Sequence, residues 1–136
     1  MTSTTTPTTR HPAPPARTGK RGRAWKMLGV LAVALQLWML YTTSPPQGPS
    51  LAGIDKLAHL AMFALPAVAF AMAGIRALLV GLPLAAHAGI SELVQYHWVA
   101  GRSGSPADVA ADLLGIGGGL AAAGLARRGP GEGNRR

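Results

Sequence analysis

The 136-residue chain contains no cysteine and has few charged or aromatic residues. Without cysteine, disulfide bonds and thiolate metal sites are excluded, and redox chemistry gives no information about the compartment. Charged residues make up 13% and aromatic residues 5% of the chain, whereas 49% of its residues are apolar. Such a composition, rich in alanine, leucine and glycine, is more typical of helices packed in lipid than of a water-soluble core.

Acidic residues are also scarce, because five acids stand against thirteen basic residues. The basic residues concentrate at the two ends of the chain, with six between Arg10 and Lys26 and four between Arg127 and Arg136. Basic terminal regions on either side of an apolar central region indicate a membrane protein with cytosolic termini. A nucleic-acid-binding tail is the alternative, but aromatic residues are not interleaved with these cations. We therefore expect the lipid bilayer, and no nucleic acid, as a partner.

Four apolar segments, each about 20 residues long, cover residues 24–43, 57–75, 77–96 and 107–126. Each matches the length that an α-helix needs to cross the hydrocarbon core of a bilayer. The sequence predicts an all-α fold, an integral membrane bundle of four transmembrane helices over residues 24–126. Residues 1–23, rich in threonine, proline and arginine, are predicted to be a disordered cytosolic tail. Residues 127–136 are predicted to be a second basic cytosolic tail.

The first apolar segment has a second interpretation as a signal peptide. We favour a retained helix, because the region before it is long and no small-x-small cleavage pattern follows Tyr41. The positive-inside bias then predicts the orientation. With both termini in the cytosol, eleven cations lie inside, and only Lys56 and Arg102 lie outside. We expect a multi-pass protein of the bacterial cytoplasmic membrane, with loops 44–50 and 97–107 facing outward.

Polar residues cluster at the predicted outer ends of the second, third and fourth helices. They are Asp55, Lys56, His59, Glu92, Gln95, Arg102, Asp108 and Asp112. An ionised side chain that faces lipid is costly, so intramembrane charges usually face a partner or a water-filled cavity. We therefore predict that these residues converge in one pocket open to the outside, where Glu92 and Gln95 meet groups from the second and fourth helices.

Individual residues of this cluster have alternative roles. Helix capping is an equally good explanation for Asp55 and Asp108. Arg102 either lies in water or folds onto Glu92, since a guanidinium matches a carboxylate. Elsewhere, His87 and Gln36 are interpreted as helix–helix hydrogen-bonding residues. The glycines of the fourth segment, Gly115 and Gly119, are predicted to form a surface for close helix packing rather than a phosphate loop.

The stretches "DKLAHLAMF" (residues 55–63) and "SELVQYHWVAGRSGSPADVAADLLG" (residues 91–115), together with the four-helix layout, resemble the VanZ-like family of bacterial membrane proteins. The matching positions are Asp55, Lys56, His59, Glu92, Gln95, Arg102 and Asp108. Asp112 stands where the family pattern has asparagine. The resemblance implies a cell-envelope protein of a family whose founding member is associated with teicoplanin resistance.

Four functions are compatible with these residues. The first is binding of an anionic lipid-linked or cell-wall-related headgroup by Lys56, Arg102 and His59, with an effect on glycopeptide antibiotic susceptibility. The second is an intramembrane enzyme acting on a lipid phosphate by acid–base chemistry or through a divalent metal. Proton or ion movement and a purely structural network are the others. The metal-ligand candidates are His59, Glu92, Asp108 and Asp112.

Overall fold

A computed structural model describes residues 19–42, 53–99 and 104–128 of the chain. These residues form four α-helices and, within the described ranges, no β-strand. The helices are α1 (Lys20–Tyr41), α2 (Ile54–Met72), α3 (Ala77–Trp98) and α4 (Pro106–Arg128). All four are long and apolar enough to cross a membrane, which confirms the predicted all-α bundle of four membrane-spanning helices.

The helix boundaries differ from the predicted ones by one to four residues in every helix, most clearly at the starts of α1 and α2. Arg127 and Arg128, predicted to belong to the C-terminal tail, are the last two residues of α4. Helix α1 begins at Lys20, so residues 20–23 are helical rather than part of the predicted tail. Lysine and arginine are good helix formers, and their long stems can lie along apolar surface while the charge stays in water. Helix α2 is shifted towards the N-terminus, because Gly53 and Gly74 adopt positive φ angles at its two ends. The predicted tails and loops otherwise fall mostly on residues 1–18, 43–52, 100–103 and 129–136, which lie outside the described residues.

Cross-helix contacts show that the helices alternate in direction. Gln95 near the end of α3 reaches Leu40 near the end of α1, and His59 near the start of α2 reaches Asp112 near the start of α4. We call this end of the bundle the acidic end. At the opposite end, which we call the basic end, the Arg127 side chain donates a hydrogen bond to the Ala71 carbonyl. Arg76, before α3, also lies at the basic end.

Glycine residues set the closest helix contact, which is between α2 and α4. A Cβ placed on Gly115 would overlap the Leu60 carbonyl oxygen, and one on Gly119 would lie 2.7 Å from the Ala64 carbonyl oxygen. Both glycines lie on one face of α4, so their missing side chains allow the two backbones to approach. This confirms the predicted packing role of Gly115 and Gly119.

The distribution of side chains is the reverse of that in a water-soluble bundle. Large apolar side chains face outward, for example Leu78 and Leu125, which are 72% and 71% exposed. Several ionisable and amide side chains are instead buried among the helices. They are Gln36, His59, Glu92, Gln95, Asp108 and Asp112. An apolar exterior around polar interior groups is the arrangement expected for helices surrounded by lipid.

Candidate functional site

A buried histidine links three helices at the acidic end. His59 of α2 lies with its Nδ1 atom 3.0 Å from Asp112 Oδ1 of α4 and 3.7 Å from Glu92 Oε1 of α3. The side chains of His59, Glu92 and Asp112 are 3%, 7% and 0% exposed. The close α2–α4 packing at Gly115, three residues after Asp112, brings His59 and Asp112 within hydrogen-bonding distance.

A second set of contacts joins the end of α3 to the start of α4. The Ser105 backbone N–H donates a hydrogen bond of 2.8 Å to Glu92 Oε2, and the Ser105 hydroxyl donates one of 2.8 Å to Asp108 Oδ2. The same hydroxyl accepts a hydrogen bond from the Asp108 backbone N–H at 3.2 Å. Ser105 therefore caps α4, with Pro106 in the first helical position, where its missing N–H costs nothing.

Asp108 also contacts an exposed cation beside this site. Its carboxylate is 7% exposed, and its Oδ1 atom lies 3.6 Å from the ammonium nitrogen of Lys56, whose side chain is 52% exposed. Asp108 thus lies in the first turn of α4 and contacts both the cap and a cation at the rim. We name the four residues His59, Glu92, Asp108 and Asp112 the polar centre.

Asp55 is exposed and lies in the first turn of α2. Its interpretation as the N-cap was wrong, because Gly53 occupies that position and no side-chain cap is formed. One carboxylate oxygen of Asp55 nevertheless lies within 4.8 Å of donor atoms of His59 and Asp108. Arg102 falls outside the described residues, and its predicted contact with Glu92 stays a prediction.

The sequence predicted that Gln95 meets groups from the second and fourth helices. This prediction was wrong, because Gln95 faces α1 instead. It is buried, and its Nε2 atom donates a hydrogen bond of 3.0 Å to the Leu40 carbonyl of α1. Leu40 lies in the last turn of α1, where carbonyl groups lack partners within the helix. Glu92 and Gln95 are three residues apart, so their directions differ by about 60° around the α3 axis, and with this offset they contact different neighbours.

Three carboxylate oxygens of the polar centre accept no hydrogen bond from the part of the chain that the structure describes. They are Glu92 Oε1, Asp108 Oδ1 and Asp112 Oδ2. Asp108 Oδ1 has Lys56 at 3.6 Å and Glu92 Oε1 has the His59 ring at 3.7 Å, so both have a neighbour but no hydrogen bond, whereas Asp112 Oδ2 has neither among the described residues. Buried carboxylate oxygens are normally hydrogen-bonded, so this centre has room for a further cationic or hydrogen-donating group. One donor atom each from His59, Glu92 and Asp112 lies within 4.8 Å of the others. These buried groups are arranged so that they could hold a metal ion.

The interpretation of His87 and Gln36 as helix–helix hydrogen-bonding residues is confirmed. Gln36 Nε2 lies 3.3 Å from His87 Nδ1, and the hydroxyl of Tyr41 lies 3.2 Å from His87 Nε2. Both ring nitrogens of His87 therefore contact α1. Among the described residues, no hydrogen bond connects His87 to the polar centre, so the structure shows no direct relay from His87 to Glu92.

Sequence reasoning missed two residues that complete these networks, Ser105 and Tyr41. Ser105 has a signal in the sequence, because a serine followed by proline and, three positions on, by an acid is typical of a helix start. Tyr41 has no such signal, since a tyrosine near the end of an apolar helix is also typical of a residue at the membrane interface.

Comparison with known proteins finds no matching family model, no matching curated protein and no matching solved structure. The resemblance to the VanZ-like family therefore stays a prediction that depends on the quoted motifs.

Proposed function

We propose that this protein is a VanZ-like membrane protein of the bacterial cell envelope whose polar centre holds a divalent cation and uses it to engage an anionic headgroup. The headgroup is lipid-linked or related to the cell wall. The observation that carries the proposal is the set of three buried carboxylate oxygens around a single imidazole that accept no hydrogen bond from the described residues.

Charge favours a cation as the first ligand. The polar centre contains three acids and one histidine. Among the described residues, the cation that contacts it is Lys56, and this lysine is already paired with Asp108. A phosphate entering alone would meet several carboxylates, whereas a divalent cation would offset their charge and present a positive site to the phosphate.

Donor types and spacing are compatible with a transition metal. An imidazole nitrogen with carboxylate oxygens suits Zn²⁺ or Mn²⁺. Zinc bonds of about 2.0–2.2 Å in tetrahedral geometry place neighbouring donors about 3.3–3.6 Å apart. The observed separations of 3.0 Å and 3.7 Å from His59 Nδ1 to Asp112 and Glu92 bracket this range. Asp108 and Asp55 form a second group with His59 on the rim side.

The headgroup contact is assigned to the entrance rather than to the buried imidazole. His59 is 2% exposed, so it is too enclosed to be the first contact of a headgroup. Lys56 is half exposed and is oriented by Asp108, which suits it to bind a phosphate or carboxylate. We propose, from the sequence alone, that Arg102 binds the same headgroup as Lys56. Binding of an envelope headgroup here would change the access of a glycopeptide antibiotic to its target at the outer surface.

A second candidate, an enzyme acting on a lipid phosphate, is favoured by the His59–Asp112 contact. A carboxylate beside an imidazole orients the ring and raises its basicity, as required for acid–base or metal-assisted hydrolysis. Release of phosphate from a defined lipid phosphate by wild type, and not by Glu92→Gln, would distinguish an enzyme from a binding protein.

The proposal is tested by counting metal ions bound to the full-length chain in phospholipid nanodiscs. After equilibration with Zn²⁺ or Mn²⁺ and dialysis, elemental analysis should find about one ion per wild-type chain. Glu92→Gln should retain far less, because it replaces a charged ligand by a neutral amide of the same shape. The control Glu132→Gln removes an acid from the tail sequence and should bind like wild type.

Headgroup binding is tested on the same samples by native mass spectrometry of retained lipid. Wild type should retain an anionic phospholipid in preference to phosphatidylcholine, and both EDTA and Lys56→Ala should reduce this preference. Lys20→Ala, at the basic end, is the matched control. If neither EDTA nor Lys56→Ala changes the preference for the anionic phospholipid, the headgroup part of the proposal is refuted, even if the metal is bound.

A further inference from the structure

A cavity of about 350 Å³ lies between α1 and α3, and none of the four residues of the polar centre lines it. Its walls include Val33 of α1, Phe70 of α2, and Val80 and Leu84 of α3. Apolar side chains make up most of the lining, and Gln36 and His87 supply its polar groups. A volume of this size lies at the lower end of the range for small-molecule sites.

One polar atom of a residue that lines the cavity has no hydrogen-bond partner among the described residues. Gln36 is 1% exposed, and its Nε2 atom contacts His87, but its Oε1 atom is buried and accepts no hydrogen bond from the described residues. The other ring nitrogen of His87 is occupied by Tyr41. A buried amide oxygen without a donor is costly in an apolar environment. Because this atom has almost no accessible surface, a ligand hydroxyl supplies the missing hydrogen bond only when the Gln36 side chain turns towards the cavity.

The chemistry of Gln36 restricts the ligand. An amide can be turned so that either its oxygen or its nitrogen faces away from His87, and one of the two is left without a partner in both cases. A hydroxyl group satisfies either arrangement, because it both donates and accepts. A charged group is disfavoured, since none of the described lysine, arginine, aspartate or glutamate residues lines the cavity.

The cavity is also accessible from the lipid side. Leu79, one of its lining residues, is 65% exposed on the outer surface of the bundle, and Leu37 of α1 is 40% exposed. A hydrocarbon chain can therefore enter laterally between the helices without crossing water. We propose that this cavity binds an uncharged lipid alcohol, with its chain against the apolar walls and its hydroxyl hydrogen-bonded to Gln36. This inference does not depend on a metal in the polar centre.

Photolabelling of the full-length chain in phosphatidylcholine nanodiscs tests the proposal. The probe is hexadecanol with a diazirine in the middle of its chain, and the control probe is its methyl ether, which cannot donate a hydrogen bond. Adducts mapped by mass spectrometry should concentrate on the α1 and α3 residues that line the cavity. One hydrogen bond predicts roughly threefold to tenfold more labelling with the alcohol than with the ether.

Two pairs of variants make the result specific. Gln36→Leu should lower alcohol labelling to the ether level and leave ether labelling unchanged. Val80→Phe should fill the cavity and abolish labelling there by both probes, whereas Leu78→Phe, on the lipid-facing surface of the same helix, should not. Equal labelling by alcohol and ether would overturn the proposal, as would adducts spread evenly over the lipid-facing surface. Helix content and elution volume identify any variant that fails to fold, and Val80→Phe then carries the test alone.

Discussion

His59 Nδ1 lies 3.0 Å from Asp112 Oδ1 across the seam between α2 and α4, and both side chains are almost fully buried. Next to this pair, Gly115 of α4 packs against the backbone carbonyl of Leu60, the residue that follows His59. The separation of two helix backbones therefore determines whether the histidine and the aspartate can meet.

We predict that Gly115→Ala destabilises the bundle and disturbs this pair. The added methyl group would overlap the Leu60 carbonyl, so α2 and α4 must move apart, at a cost of about 1–3 kcal/mol. The melting temperature of the detergent-purified protein measures the effect. Gly117→Ala is the matched control, because no atom of another described helix lies within 4 Å of its new Cβ. Equal melting temperatures for the two variants would contradict the proposed packing role.

A double-mutant cycle on His59 and Asp112 measures their coupling. His59→Leu and Asp112→Leu each leave a buried polar partner behind, and breaking a buried pair typically costs about 3–5 kcal/mol. The double variant removes both groups, so it should be more stable than the sum of the single effects predicts, by about 1–3 kcal/mol. Unfolding in mixed micelles with increasing dodecyl sulfate provides the free energies.

The control for this cycle pairs Asp112→Leu with His97→Leu. His97 is exposed near the end of α3, and the effects of these two substitutions should add. Additive effects for His59 and Asp112 would show that the contact contributes no specific stabilisation.

The proposed orientation is tested by labelling single cysteines, because the natural chain contains none. A membrane-impermeant maleimide should label Ser50→Cys in intact cells and Gly133→Cys only after the cells are permeabilised. The physical reason is the concentration of cations at the basic end and near both termini, which favours the cytosolic side. The reverse labelling pattern would place the polar centre on the cytosolic face.

Much of the fold could be predicted because each helix is a long apolar run separated from the next by proline, glycine or charge. The helix ends were harder to predict. The segment around Lys20 is polar and resembles a tail, but it continues α1 because lysine and arginine favour helices. Helix α2 ends before Gly74, whose positive φ cannot be recognised from an apolar pattern.

The distance of each polar residue from the end of its helix predicted which residues of different helices would lie side by side in the bundle. His59, Glu92 and Asp112 do meet there. Depth does not determine the direction in which a side chain points, and Gln95 turned out to face α1. Direction depends on how each helix is rotated in the bundle, and that rotation is set here by close contacts such as the one at Gly115.

The central claim, a metal ion held by the polar centre, is tested most directly by X-ray absorption at the zinc edge of the zinc-loaded protein in nanodiscs. We predict scattering from one imidazole ring, with oxygen as the remaining directly bound atoms, as His59 with Glu92 and Asp112 would supply. His59→Asn should lose both the imidazole signal and most of the zinc, whereas His97→Asn should match wild type. Zinc retained by His59→Asn with an unchanged spectrum, or no zinc retained by wild type, would contradict the account.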